Sequence, residues 1–291
     1  MRRFGFVILN YQTEEETIAC VKSIEENFIT EDVKIIIVDN ASKDNSGKRL
    51  KEKYRNKCYI KVILNASNEG YARGNNIGYR WAKYEFCCNY IVLLNSDTLI
   101  IQNDFCAIVE REYHRSKCAV IGPMILKNGL ETKDNPGRKK PFNEKKLLIF
   151  IMMNCFFLML NYLNIDQIPV EIFEKYAAKK KDDKNENKRI EDVALHGCCL
   201  IFTPCFVKHE EGLNPETYMY MEEDLLYEKM HFQKMNMVYQ PELKIEHKGA
   251  GSTEKIYGTG RKKRQFIYRN MIRSSRVLWK YKRNLDKYKK E

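Results

Sequence analysis

The sequence predicts an α/β fold built on a mostly parallel sheet. Three observations carry that prediction: apolar runs rich in β-branched residues alternate with stretches of helical spacing through the first hundred residues, each run stops in a polar loop, and those loops hold the candidate ligand-binding residues. Strands separated by helices pack as a parallel sheet. Such a sheet binds its ligands in the crevice beyond the carboxyl ends of the strands.

The first run, "FGFVIL", starts at Phe4 and ends in Asn10 and Tyr11. It is shorter than the apolar region of a secretory signal and gives way to polar "NYQTEEET", so it reads as a first strand. "EEETIACVKSIEENF" places Ile18, Val21 and Ile24 at helical spacing. "VKIIIVD" is the second strand, "GKRLKEKYR" the next helix, "IKVILN" the third strand, "NNIGYRWAKYE" a helix and "YIVLL" the fourth strand. The polar loops after the strands are "DNASKDNS", "NEGYARGNN" and "NSDT".

Composition narrows the function. With 291 residues, 44% of them hydrophobic, the chain can fill one large core or two modest ones. A formal charge of +12, densest at 138–146, 179–189 and 261–290, suits nucleotide phosphates, nucleic acid or an acidic membrane, and equally a plain solvated surface. The ten cysteines contain no C-x-x-C pair, so reduced core thiols are expected rather than zinc or disulfides.

The polar loops hold the chemistry. Asp97 stands where a strand hands over to a loop, placed either to coordinate a hard divalent cation or to cap a following helix. Asp39 could accept hydrogen bonds from a base or ribose, or belong with Asn40, Ser42 and Asp44 to an ordinary Asx turn. Gly70, Gly74 and Gly78, spaced four apart, fit neither the dinucleotide fingerprint nor the P-loop. "MEEDLL" sets Glu222, Glu223 and Asp224 side by side, where repulsion can raise a pKa or a helix dipole can stabilise all three.

Leu147 to Leu163 run 17 residues without a charge, about 25 Å as a helix, with Asn154 and Asn161 on one face and Lys139, Lys140, Lys145 and Lys146 ahead of it. A helix packed on the protein or lying in a membrane interface is expected, because a spanning helix would separate the first half from the acidic cluster. "AAKKKDDKNENKR" reads as a solvated loop. The basic, aromatic tail at 261–290 suits nucleic acid, an interfacial helix on anionic lipid or a solvated helix.

Seven segments, "VILNYQ", "IIIVDNASKDNS", "NEGYARGNNIGYR", "LLNSDT", "HGCCLIF", "YMYMEEDLL" and "EHKGAGS", stand in an order and spacing that resembles the family 2 glycosyltransferases, in particular the bacterial rhamnosyltransferase-like branch that builds surface polysaccharides. The resemblance runs from about residue 6 to 252 and implies a GT-A fold: a Rossmann-like, mostly parallel sheet with flanking helices and, here, a C-terminal helical extension. It implies a nucleotide-sugar-binding half at 1–100, an acceptor-binding and catalytic half at 101–255, and a basic tail at 256–291.

By the same resemblance Asn10, Asp39, Asn68, Gly70, Arg73, Asn76, Asn95 and Ser96 would hold the donor. Asp97 would bind Mg²⁺ or Mn²⁺ on its diphosphate, with Asn95 where the family's motif has a first acid and His247 as a second metal ligand. Tyr220, Glu222 and Glu223 align with the family's Y-x-E-D or Y-x-E-E pattern, which makes Glu223 the base of an inverting transfer; Glu222 and Asp224 stay open as alternatives. The partners implied are a nucleotide sugar, a saccharide or lipid-linked saccharide acceptor and an anionic membrane surface, with the enzyme cytoplasmic and peripheral on the inner face of the membrane. Two other readings are a non-catalytic basic nucleotide- or nucleic-acid-binding protein, which would lack the loop acids, and a nucleotidyltransferase, which would carry paired metal carboxylates and no separate acidic loop.

Overall fold

The computed structural model describes residues 3–28, 32–132, 134–167, 187–249, 256, 258 and 260–288. A ten-stranded sheet runs through it. One half is formed by β1 (Phe4–Asn10), β2 (Val33–Asp39), β3 (Ile60–Leu64) and β4 (Tyr90–Asn95), all parallel, in the spatial order β3-β2-β1-β4. Helices α1 (Glu14–Asn27), α2 (Ser46–Tyr54) and α3 (Gly70–Arg80) connect them, α3 continuing in a π-helical turn over Trp81–Glu85. These strands are apolar almost throughout because both faces are covered. Phe6 and Ile8 belong to one core cluster and Val7, between them, to the other.

The sheet continues through β9 (Cys199–Phe202), β6 (Val120–Lys127), β10 (Met237–His247) and β5 (Thr98–Ile100), with β7 (Leu130–Glu131) on β6 and β8 (Ile190–Glu191) on β10. β9 is antiparallel to β4 and to β6; β6 and β10 are again parallel. The six longest strands therefore all point the same way. Pro123, in the middle of β6, has no amide hydrogen to give, and β10 breaks register opposite it: Gln240 pairs with Pro123 and Lys244 with Met124, so residues 241–243 bulge.

Helix α4 (Phe105–Ser116) flanks this half, with α6 (Pro204–His209) and α7 (Glu222–Phe232). The charge-free stretch forms α5 (Glu144–Tyr162), whose start is capped by the Asn143 side chain accepting from the Lys145 amide. It packs along α8 (Arg261–Tyr288), and Leu147, Met221, Leu225 and Leu278 close a third core cluster. The segment is long and apolar enough to cross a membrane by length and composition. Most of "AAKKKDDKNENKR", residues 250–252 of "EHKGAGS" and the chain's last three residues lie outside the described residues.

All ten cysteines are free. Cys20, Cys88, Cys118, Cys198 and Cys199 are buried, and burial raises each of these thiols far out of the reactive range. Cys58, Cys87 and Cys155 are exposed, a correction to the expectation that all ten sit in the core.

Candidate active site

A cleft of about 350 Å³ opens at the carboxyl ends of β1 and β4. Its floor includes Asn95, Ser96 and Asp97. Asp97 is buried in the turn between β4 and β5. A strand follows it, not a helix, so the capping role is excluded. β5 runs antiparallel to β10 with Thr98 opposite His247, and the Lys248 amide donates to the Asp97 carbonyl at 3.0 Å. That register brings His247 Nε2 to 3.4 Å from Asp97 Oδ1. Ser96 Oγ accepts from the Thr13 hydroxyl at 2.9 Å.

One carboxylate and one imidazole facing each other suit a divalent cation that takes its remaining ligands from phosphate and water. Among the described residues no group of three or more His, Cys, Asp or Glu could hold a metal, and Asp97 with His247 is a pair. The site fits such an ion only as part of a ligand complex.

The wall formed by β1, β2 and α3 differs from expectation in detail. Asn10 is fully buried; its amide donates to Asp39 Oδ1 at 2.6 Å and to Ser46 Oγ at 3.1 Å, and its carbonyl accepts from Thr17 Oγ1 at 2.9 Å. Asp39 also accepts from the Ser42 amide, and α2 starts directly against it: a Cβ on Gly47 would stand 2.3 Å from the carboxyl. Asn10 and Asp39 are thus bonded to each other and to the Asx turn, and neither is among the residues that line the cleft. Asn40, itself buried, is the residue of this turn that borders the cleft. Its amide donates to Asn68 Oδ1 at 3.0 Å and to the Gly70 carbonyl at 3.1 Å, and it lines the cleft with both.

Gly70 (φ +79°) lets the start of α3 approach the Tyr218 carbonyl, which a Cβ would meet at 2.3 Å. Farther along the same helix, Arg73 Nε donates to the Pro215 carbonyl at 2.8 Å, and the Asn76 side chain exchanges 2.7 Å hydrogen bonds with the Leu213 backbone. Those two side chains clamp the 213–215 loop and line a separate depression instead of the cleft.

The opposite wall comes from the acidic helix. Tyr220 and Met221 both adopt left-handed backbone (φ +69° and +68°), a conformation that costs non-glycine residues roughly 1–3 kcal/mol each. The pair turns the chain so that Glu222 and Glu223, at the start of α7, face the cleft. Glu222 is only 3% exposed, its Oε1 has no hydrogen-bond partner, and burial pushes its pKa up to about 7. Glu223 is pushed up to about 8, by removal from water first and then by the charges of Asp224 and Glu222. Asp224 is held by Arg138, whose Nε donates to Oδ1 at 2.9 Å, and does not line the cleft.

Two further side chains in the cleft carry no prior expectation. Tyr71 donates its hydroxyl to the Gly197 carbonyl at 2.6 Å; a Cβ on Gly197 would stand 3.7 Å from Glu223 Oε2 and 3.8 Å from that hydroxyl. His196 Nδ1 accepts from the Cys198 amide at 3.1 Å, which puts the neutral ring's proton on Nε2, and the ring lies 6.0 Å from that of His247. The sequence signal for both was their place inside quoted segments, one residue beside Gly70 and one at the head of "HGCCLIF".

Residues 6–178, more than half of the chain, match the sequence profile described as Glycosyl transferase family 2. The chain belongs to that family. This family 2 chain shares its fold with the crystal structure of S. aureus TarS 1–349, at TM-score 0.52 and 15% identity over 88% of this chain and 62% of that one. It is likewise similar to GalNAc-T7 with UDP, GalNAc and Mn²⁺ (0.56, 13%, 85% and 44%) and to the mannosyltransferase PcManGT from Pyrobaculum calidifontis with GDP-Man and Mn²⁺ (0.53, 12%, 85% and 57%). The chain spans less than two thirds of the length of each. No curated protein matches it. The curled, mostly parallel sheet with its flanking helices is the GT-A fold.

Proposed function

We propose that this family 2 chain is a glycosyltransferase that moves a hexosyl or rhamnosyl group, with inversion, from a nucleotide sugar to a saccharide or lipid-linked saccharide, as the rhamnosyltransferase-like branch does in surface polysaccharide synthesis. The observation that carries the reading is the pairing of two chemistries across one cleft: Asp97 with His247 on one side, Glu222 with Glu223 on the other. A binding protein has no use for the second pair. The crystal structures with UDP and GDP-Man on the same fold support a nucleotide-sugar donor.

Asn40, Asn68, Asn95 and Ser96 line the side on which the donor would lie. Asp97 and His247 would hold Mg²⁺ or Mn²⁺ against its diphosphate, and the chemistry that ion supplies is neutralisation of the departing charge. On the far side Glu223 takes the proton of the acceptor hydroxyl as its oxygen attacks the anomeric carbon. The new glycosidic C–O bond forms, the bond to the diphosphate oxygen breaks, and the electron pair leaves with the nucleotide. In this reading Glu223 takes the role because Asp224 is engaged by Arg138 and Glu222, which also lines the cleft, is only 3% exposed. The raised pKa suits a group that must hold a proton and then release it near neutral pH.

A panel of nucleotide sugars with and without Mn²⁺, read by thermal stabilisation and by release of nucleoside diphosphate, tests the reading. Stabilisation by one donor with Mn²⁺ and slow hydrolysis is the expected result; no response to any donor overturns it.

A further inference from the structure

Helix α5 is apolar on its outward side as well as its inward one. Its buried face contains Leu147, Ile151, Asn154 and Asn161, two of them amides. Its outward face is apolar from end to end: Ile149 is 64% exposed, Met152 70%, Phe156 51%, Met159 51%, Tyr162 52% and Leu163 63%. These positions recur at steps of three, four and one, which winds them into a single stripe. A helix on a protein in water carries polar residues on its outward face, and a contiguous apolar surface of this extent marks a contact.

The orientation of that face is fixed from behind. Asp166, fully buried just after α5, accepts from Asn161 at 3.0 Å and from Arg264 Nε of α8 at 2.6 Å, and this pairing holds its carboxyl down at about 2. Phe157 of α5 stacks on Tyr268 of α8 with ring centroids 5.9 Å apart. The tail helix offers no apolar face of its own, because Tyr268, Ile272 and Leu278 point inward. What α8 shows to solvent is charge, including Arg261, Lys262, Arg269 and Arg273, and exposed Lys139, Lys140, Lys145 and Lys146 stand at the other end of α5. The only acids in the two helices are Glu144 and Asp286.

We propose that the outward face of α5 lies flat in the interface of an anionic phospholipid membrane, with the flanking lysines and arginines on lipid phosphates. Charge complementarity selects this occupant. A second copy would set basic flank against basic flank, whereas an acidic bilayer offers hydrocarbon to the stripe and negative phosphates on both sides of it. The helix lies in the plane because its other face is joined to α8, whose arginines cannot follow it into hydrocarbon. Two residues before Tyr268, Phe266 lines the cleft, so the cleft is one helix away from the bilayer. That placement suits an acceptor hydroxyl presented at the membrane surface; this last clause rests on the transferase reading, and the membrane contact does not.

The test is co-sedimentation of the full chain with vesicles of phosphatidylglycerol and phosphatidylcholine, against phosphatidylcholine alone. Binding to the acidic vesicles is expected, at least tenfold weaker in 500 mM than in 50 mM NaCl. M152E/F156E should weaken it at least tenfold while Mn²⁺-dependent nucleotide binding and Tm stay unchanged. K145Q/K146Q, altering exposed side chains that leave the fold alone, should weaken it threefold or more. No binding to acidic vesicles, or equal binding by both variants, overturns the proposal. So does a wild-type dimer in ultracentrifugation that M152E/F156E dissociates without any vesicle binding, since a second copy would then cover the face. Vesicle binding is read without donor or turnover, so a failure here and a failure of the transferase reading are separate results.

Discussion

Arg138 Nε donates to Asp224 Oδ1 at 2.9 Å, while its Nη1 lies 3.3 Å from Glu228. This one guanidinium removes two of the four carboxylates of α7 from the proton inventory of the cleft. Glu223 and Glu222 are left lining the cleft, each with a raised pKa.

Glu223→Gln should leave donor affinity nearly unchanged and lower turnover by about 10²-fold or more, the usual scale of a lost general base. The base works only when ionised. Wild-type kcat/KM should therefore rise with pH through about 8 and then level off, and the variant should lose that limb. Steady-state rates from pH 6 to 9.5 with calorimetric donor titrations decide it; a near-normal rate in the variant assigns the proton elsewhere.

Asp97→Ala should weaken Mn²⁺-dependent donor binding and abolish transfer, with the fold retained because a turn carboxylate contributes little to the core. His247→Ala should act in the same direction with a smaller effect, since water replaces a neutral ligand more easily than a charge. Isothermal titrations in Mn²⁺ and in chelator measure both. Equal wild-type affinity in the two media would remove the metal role from both residues.

Glu222 binds a proton more tightly in the folded protein, about 7 against an ordinary 4.5, so the folded state holds more protons than the unfolded between those values and stability falls as pH rises across them. A shift of this size is worth about 3 kcal/mol. Glu222→Gln should consequently raise Tm at pH 8 and leave it nearly unchanged at pH 4. Calorimetric melts at the two pH values give the comparison, and an equal change at both would contradict the linkage.

Gly70→Ala places a methyl in left-handed backbone and 2.3 Å from the Tyr218 carbonyl. A loss of ~2–4 kcal/mol in urea unfolding is expected, together with weaker donor binding, because the Tyr218–Met221 turn that aims Glu223 must move.

The first half of the fold was legible because β1, β2 and β4 are buried on both faces and, with the edge strand β3, announce themselves as apolar runs with β-branched residues. β6 and β10 were not: Pro123 argues against a central strand, and only the bulge at 241–243, a long-range feature, accommodates it. The site was legible as a set of segments but not as facing directions. Arg73 and Asn76 sit three residues apart on one side of α3 and so turn together toward the 213–215 loop, away from the cleft. Asp39 is bonded to Asn10 and Ser42, an arrangement that local sequence leaves balanced against ligand binding, and Asn40 lines the cleft. The meeting of Asp97 with His247 depends on the β5–β10 register, which no spacing encodes.

The position of β9 has a consequence during synthesis. β4 ends at Asn95, and the strand that covers its free edge starts only at Cys199. At the usual pace of translation the intervening residues take roughly 5–20 s to appear. Through that interval the newborn chain presents "YIVLL" as an open strand edge, the kind of surface that pairs with other chains. Chaperone occupancy should peak on chains of this window, and synonymous codons that slow translation before Cys199 should lower the yield of soluble protein.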